Sequence, residues 1–70
     1  MTLDELMDAF NKQVPVIVER FRGLEPPLHF SRITAVIPAF DKHGQPDYGV
    51  EVIDSVGRIC TARGKDVRLG

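Results

Sequence analysis

Near the start of this 70-residue chain Leu3, Leu6, Met7 and Phe10 fall at i, i+3, i+4 and i+7, with Asp4, Glu5 and Asp8 between them and Lys12 just beyond. That spacing draws one stripe along a helix and leaves the charges on the other faces. The start signal agrees, because Thr2 followed three residues later by Glu5 reads as a capping box and the early acids suit the positive end of the helix dipole. Pro15 disfavours helical backbone at Val14, so the predicted helix occupies residues 1–13.

From Val14 onward the rhythm changes to two. Every Val and Ile in the chain lies at position 14 or later, and β-branched side chains fit a pleated surface better than a helix. Val14, Val16 and Val18 alternate with Pro15, Ile17 and Glu19, and Pro15, which lacks an N–H, predicts that the segment starts at an edge or at the beginning of a strand. Gly23-Leu24-Glu25-Pro26-Pro27 reads as a break. Leu28 to Phe40 reads as one long strand whose apolar parity switches near Ser31 and Arg32, from Leu28 and Phe30 to Ile33, Ala35, Ile37 and Ala39. A switch of that kind requires a bulge or bend. Asp41 to Asp47 is turn-rich, Tyr48 to Ile53 is a third strand, and Asp54-Ser55-Val56-Gly57 is a hairpin connection whose glycine supplies a positive φ. Arg58 to Ala62 returns as a fourth strand, Arg63 to Asp66 turns, and Val67 with Leu69 makes a short fifth.

The predicted fold is therefore α+β and mainly β. One N-terminal helix precedes a four- to five-stranded antiparallel sheet over residues 14–70, all in one domain, 1–70. A long bent strand in so short a chain favours a small, partly open SH3-like or Sm-like barrel, which hides strand edges that a flat sheet leaves open. A plain meander with the helix across one face is the alternative. The expected core is Leu3, Leu6, Phe10, Val16, Val18, Ile33, Ile37, Val52 and Ile59.

Composition narrows the function classes. Apolar residues make up 43% and charged residues 27%, with a net charge of −1, a mixture that folds rather than staying disordered. The longest apolar run is a tripeptide, Val16 to Val18 or Ala35 to Ile37, whereas a membrane-spanning helix needs about 20 residues. Acids at Asp4 and Glu5 stand where a secretory leader carries bases, so the expected location is cytoplasmic and no membrane partner is expected. With Cys60 the single cysteine and His29 and His43 the two histidines, neither a disulfide nor a structural metal is expected.

The candidate chemistry is sparse. His43 lies among Asp41 and Asp47, yet Asp, Gly and Pro there already have a role in turning the backbone. His29 reads as an exposed strand residue and Cys60 as a small apolar filler. Neither Gly23 nor Gly64 belongs to a phosphate-binding loop, since the predicted helix precedes every strand. No nucleophile is paired with a base. The chain therefore reads as not an enzyme, with no cofactor. Charge is uneven, however: Arg58, Arg63, Lys65 and Arg68 cluster late in the chain against Asp66. With Tyr48 on a neighbouring strand they form a possible nucleic-acid contact, combining phosphate pairing with base stacking.

A short helix followed by Val14-Pro15-Val16 and then Gly23 resembles the start of the bacterial Sm-like RNA chaperones. The likeness ends there: Glu25-Pro26-Pro27 interrupts the next strand, and the Lys-His pair of that family is absent around Ala62 to Lys65. No functional residue is carried over, although the resemblance implies a barrel. A domain this small buries only about 60% of its unfolded surface, and association is a common remedy. The expectation is a small noncatalytic binding module acting by protein–protein contact or as a homo-oligomer. RNA or single-stranded DNA binding through the basic set is the alternative.

Overall fold

The computed structural model describes residues 1–19 and 27–70. The element order is α1 (Leu3–Lys12), β1 (Val16–Val18), β2 (Leu28–Phe30), β3 (Arg32–Ile37), β4 (Gly49–Ile53), β5 (Ile59–Arg63), a 3-10 turn (Gly64–Asp66) and β6 (Val67–Leu69). The fold is α+β and mainly β, but the expected single sheet of four or five strands is divided: among the described residues one helix accompanies two three-stranded antiparallel sheets, β2-β1-β6 and β3-β4-β5, because the long second strand breaks at Ser31 into β2 and β3. The expected break at Gly23 to Pro26 lies outside the described residues.

The helix begins on the predicted capping box, with the Glu5 amide donating to Thr2 Oγ1 at 3.3 Å and the Thr2 amide donating to Glu5 Oε1 at 2.9 Å. It ends earlier than the proline alone dictates. Gln13 takes left-handed backbone (φ 55°, ψ 43°), and its N–H returns to the carbonyls of Ala9 and Phe10. Its side chain then ties helix to sheet, Nε2 donating to Phe10 O at 2.6 Å and to Ile33 O at 3.2 Å, while Oε1 accepts from Arg32 Nε at 2.9 Å.

The buried face of α1 centres on Leu6 and Ala9, with Leu3 and Phe10 half-buried and Met7 turned outward. Leu6 and Ala9 close over Val16, Val18, Phe30, Ile33, Val50, Val52 and Val67, which form one core. The predicted positions Leu6, Val16, Val18, Ile33 and Val52 lie in it.

Ile37 and Ile59 do not lie in the core: they are 43% and 59% exposed. The reason is register. The strand is interrupted at Ser31, as the parity switch predicts, but a second irregularity between Ile33 and Ala35 returns the phase. Val36 therefore packs on the core, opposite Val50, and Ile37 falls opposite Gly49 on the outer face. In the next hairpin Cys60 is paired with Val52, which sends Ile59 outward beside Ile53. A slip of one residue inverts every side chain.

Of the two placements expected from Pro15, the beginning of a strand is found and the edge is not. The first strand begins at Val16 and is no edge: β1 lies between β2 and β6, so all of Val16, Ile17 and Val18 are buried. Pro15 stays outside the strand, and its carbonyl accepts the Gly70 N–H at 3.1 Å. An unbroken apolar run is what a central, covered strand requires, whereas alternation marks a sheet with one wet face.

Candidate functional site

The two loops that frame the second sheet are built alike from an Asp and a Gly three residues apart. Asp41 Oδ1 accepts the backbone N–H groups of His43 and Gln45 at 2.8 and 3.0 Å, and Asp54 Oδ1 accepts those of Val56 and Arg58 at 3.0 and 2.9 Å. Gly44 and Gly57 carry the positive φ, 78° and 90°. The Asp41 carboxylate is thus occupied by its own turn, and His43 contributes a backbone amide to it while remaining exposed. At the second turn the Arg58 guanidinium adds a contact of 2.8 Å from Nε to Asp54 Oδ2. The Arg58 backbone N–H is the main cause holding the Asp54 carboxyl below its ordinary range, with the guanidinium and the Val56 N–H acting in the same direction.

The predicted basic set is spread across the molecule. Arg58 and Arg63 sit at opposite ends of β5, about 17 Å apart at the usual rise per strand residue. Arg63 Nε lies 3.9 Å from Asp47 Oδ2, and Arg68, on the other sheet, pairs with Glu19. Across that sheet Arg68 and His29 flank Ile17 on either side. Lys65 and Tyr48 alone are brought together: they line a cleft of about 510 Å³ that also contains Leu3, Asp4, Asp41, Pro46, Asp47 and Gly64. Three carboxylates there face Lys65 and the N-terminal ammonium of Met1, and Asp47 already has Arg63 beside it, so the cleft carries no excess of positive charge to hold phosphate. Among the described residues no three His, Cys, Asp or Glu side chains converge to hold a metal ion.

Gly64 forms the back of this cleft. Its N–H donates to Tyr48 O at 2.6 Å, and a Cβ on it would stand 2.6 Å from Leu6 Cδ1 and 2.9 Å from Tyr48 O. Glycine is required by that close approach of helix to strand.

A different surface went unread in the sequence. The outer face of β3-β4-β5 is laid out in rows: Arg32, Ile53 and Ile59; Ala35, Glu51 and Thr61; Ile37, Gly49 and Arg63. Thr34 Oγ1 ties the bulge to Glu51 Oε1 at 2.8 Å. Phe40 and Val56, each 74% exposed, lie in the loops at the two ends of β4. Ile37, Ile53 and Ile59 are the large apolar members of this face, and they were hidden because the same letters also fit an inward phase. The signal that finds them is the length of the Asp54–Gly57 turn, which sets Val52 opposite Cys60 and thereby Ile53 opposite Ile59.

No helix among the described residues is long and apolar enough to cross a membrane. No family model, curated protein or solved structure matches this chain.

Proposed function

We propose that this protein is a noncatalytic interaction module of the cytoplasm, working by contact with another protein or with copies of itself. The observation that carries this reading is the face of β3-β4-β5. It offers Ile37 and Ile59 to solvent, with half-buried Ile53 beside Ile59, and ends in β5, which pairs with β4 alone among the described residues. Ile59 on the open edge with Ile53 next to it favours a partner, and a domain of this size gains stability by covering them.

The architecture that suits this role is a small, partly open barrel of the SH3-like or Sm-like kind. Two features support it: β2 and β3 run on through Ser31, whose N–H reaches Ile53 O at 2.8 Å, and a single 3-10 turn carries the chain from β5 to β6. Each links one sheet to the other, at opposite edges.

A photo-crosslinking residue placed at Ile59 and activated in living cells tests the module. Covalent adducts to this chain or to another polypeptide are expected. Adducts to nucleic acid alone would transfer the function to the RNA or single-stranded DNA alternative, carried by Arg58, Arg63, Lys65, Arg68 and Tyr48. An absence of adducts would overturn both.

A further inference from the structure

Resting on the interaction-module reading, we propose that β5 is the docking edge for a second copy of this chain, the two β5 strands pairing antiparallel about a twofold axis at Thr61. The hydrogen-bond phase of β5 points to it. The Gly64 N–H donates to Tyr48 O and the Asp54 N–H donates to Arg58 O, with an unbroken register between them. Even-numbered residues therefore face β4. Ile59, Thr61 and Arg63 turn their N–H and C=O groups to the open side, where none has a partner among the described residues.

The edges of the two neighbouring strands are treated otherwise. On β3, the Ile33 carbonyl is taken by Gln13 Nε2 at 3.2 Å. On β6, the same phase argument turns Val67 outward, since Glu19 bonds Asp66 and Gly70 bonds Pro15, and the Val67 carbonyl accepts from the Met1 nitrogen at 3.3 Å. Natural folds blunt an edge with such contacts, and β5 has none among the described residues.

The occupant follows from the self-complementarity of the edge. With Thr61 opposite its own copy, Ile59 falls opposite Arg63 and Arg63 opposite Ile59, so every outward residue on each chain meets an outward residue and exchanges both backbone hydrogen bonds. Threonine opposite threonine is a favourable cross-strand pair. The stem of Arg63 can lie along Ile59, and the two Arg63 charges stand at opposite ends of the seam. On the inner side, Cys60 and Ala62 are only half-buried at the rim of the core, and the pairing sets each against the other across the seam, shielding both. A strand of unrelated sequence would satisfy the backbone but would not supply this match of side chains.

The experiment uses the full chain. In a Cys60→Ser background, Thr61→Cys places two thiols on a directly hydrogen-bonded pair, with Cα atoms about 5.5 Å apart and within disulfide reach. Mild oxidation is expected to give a covalent dimer, whereas Ser55→Cys in the same background, at the exposed turn, gives little. Thr61→Lys sets two ammonium groups face to face and is expected to weaken dimerisation several-fold in sedimentation equilibrium, with the circular dichroism spectrum unchanged. Thr61 is exposed and its side chain makes no hydrogen bond among the described residues, so this variant folds. A wild-type chain that stays monomeric at millimolar concentration overturns the proposal. So does a dimer that ignores Thr61→Lys and links no better through Thr61→Cys than through Ser55→Cys; that result leaves the interaction module standing, because the module falls only if Ile59 captures no polypeptide in cells.

Discussion

The sheet β2-β1-β6 and the sheet β3-β4-β5 have the same number of strands and the same antiparallel pairing, yet their central strands are buried in different ways. In β1 all of Val16, Ile17 and Val18 are buried, whereas β4 alternates, hiding Val50 and Val52 and leaving Gly49, Glu51 and Ile53 half-buried. Strand pairing is therefore a poor guide to energetic weight. What decides it is whether both faces are shielded, and that separates a sheet that stabilises the fold from one with a face free to do something else.

Alanine at the central strands tests this most severely. Ile17→Ala is expected to cost about 2–5 kcal/mol, as for other buried isoleucines, and Ile53→Ala under about 1 kcal/mol. Urea unfolding of dilute protein, where no dimer forms, reads both. Equal losses would mean that the outer face of β3-β4-β5 is as shielded as β1, and the contrast would collapse. Gly64→Ala comes next, at about 1–3 kcal/mol, because its Cβ must displace both a core leucine and the Tyr48 carbonyl, where the chain passes from one sheet to the other. Gln13 has a smaller effect. Gln13→Ala keeps the strained left-handed backbone and loses the bonds to Phe10, Ile33 and Arg32, for about 1 kcal/mol. Gln13→Gly loses the same bonds but relieves the strain, so its denaturation midpoint should lie above that of Gln13→Ala.

How much of this could be read in advance follows the same division. The helix was legible to its cap, because Thr2 and Glu5 act locally and need nothing from the rest of the chain. So were the hairpin glycine at Gly57 and the bend beside Ser31. Ile17 was not, since alternation over Val14, Val16 and Val18 hides whether the intervening residue is wet, and a covered second face is a tertiary fact. Ile37 and Ile59 were misplaced for a related reason. The bulge between Ile33 and Ala35 leaves no mark in residue type, and a phase error of one residue is invisible in a run as apolar as Ala35-Val36-Ile37. Of the candidate surface, the basic residues were visible as letters, but their partners Asp47, Asp54 and Glu19 come from other segments or across a turn. The open side of β5 depends on hydrogen-bond parity, which no side chain reports.

The two Asp–Gly turns that flank β4 offer the finest version of the comparison, because their backbones are alike and Asp54 alone also takes an arginine from across its turn. The Asp54 carboxyl is held below its ordinary value of 3.8 chiefly by the Arg58 N–H, and Glu5 is held below 4.5 chiefly by the Thr2 N–H. A carboxyl with a depressed folded-state pKa contributes stability that is fully present above the unfolded value and is lost as pH falls through the folded one. Both turn and helix start should therefore weaken below about pH 4 and not between pH 5 and 8. Asp54→Asn keeps an oxygen that can accept from Val56 and Arg58 but cannot titrate. Its urea midpoint should sit slightly below wild type at neutral pH and converge with it as pH falls through the depressed folded-state pKa of Asp54. Asp41→Asn, at the turn without the guanidinium, should differ less from wild type at neutral pH. If the two asparagine variants lose equally there, the exposed Arg58 pair adds nothing to its turn, and the backbone bonds common to both loops account for the whole effect.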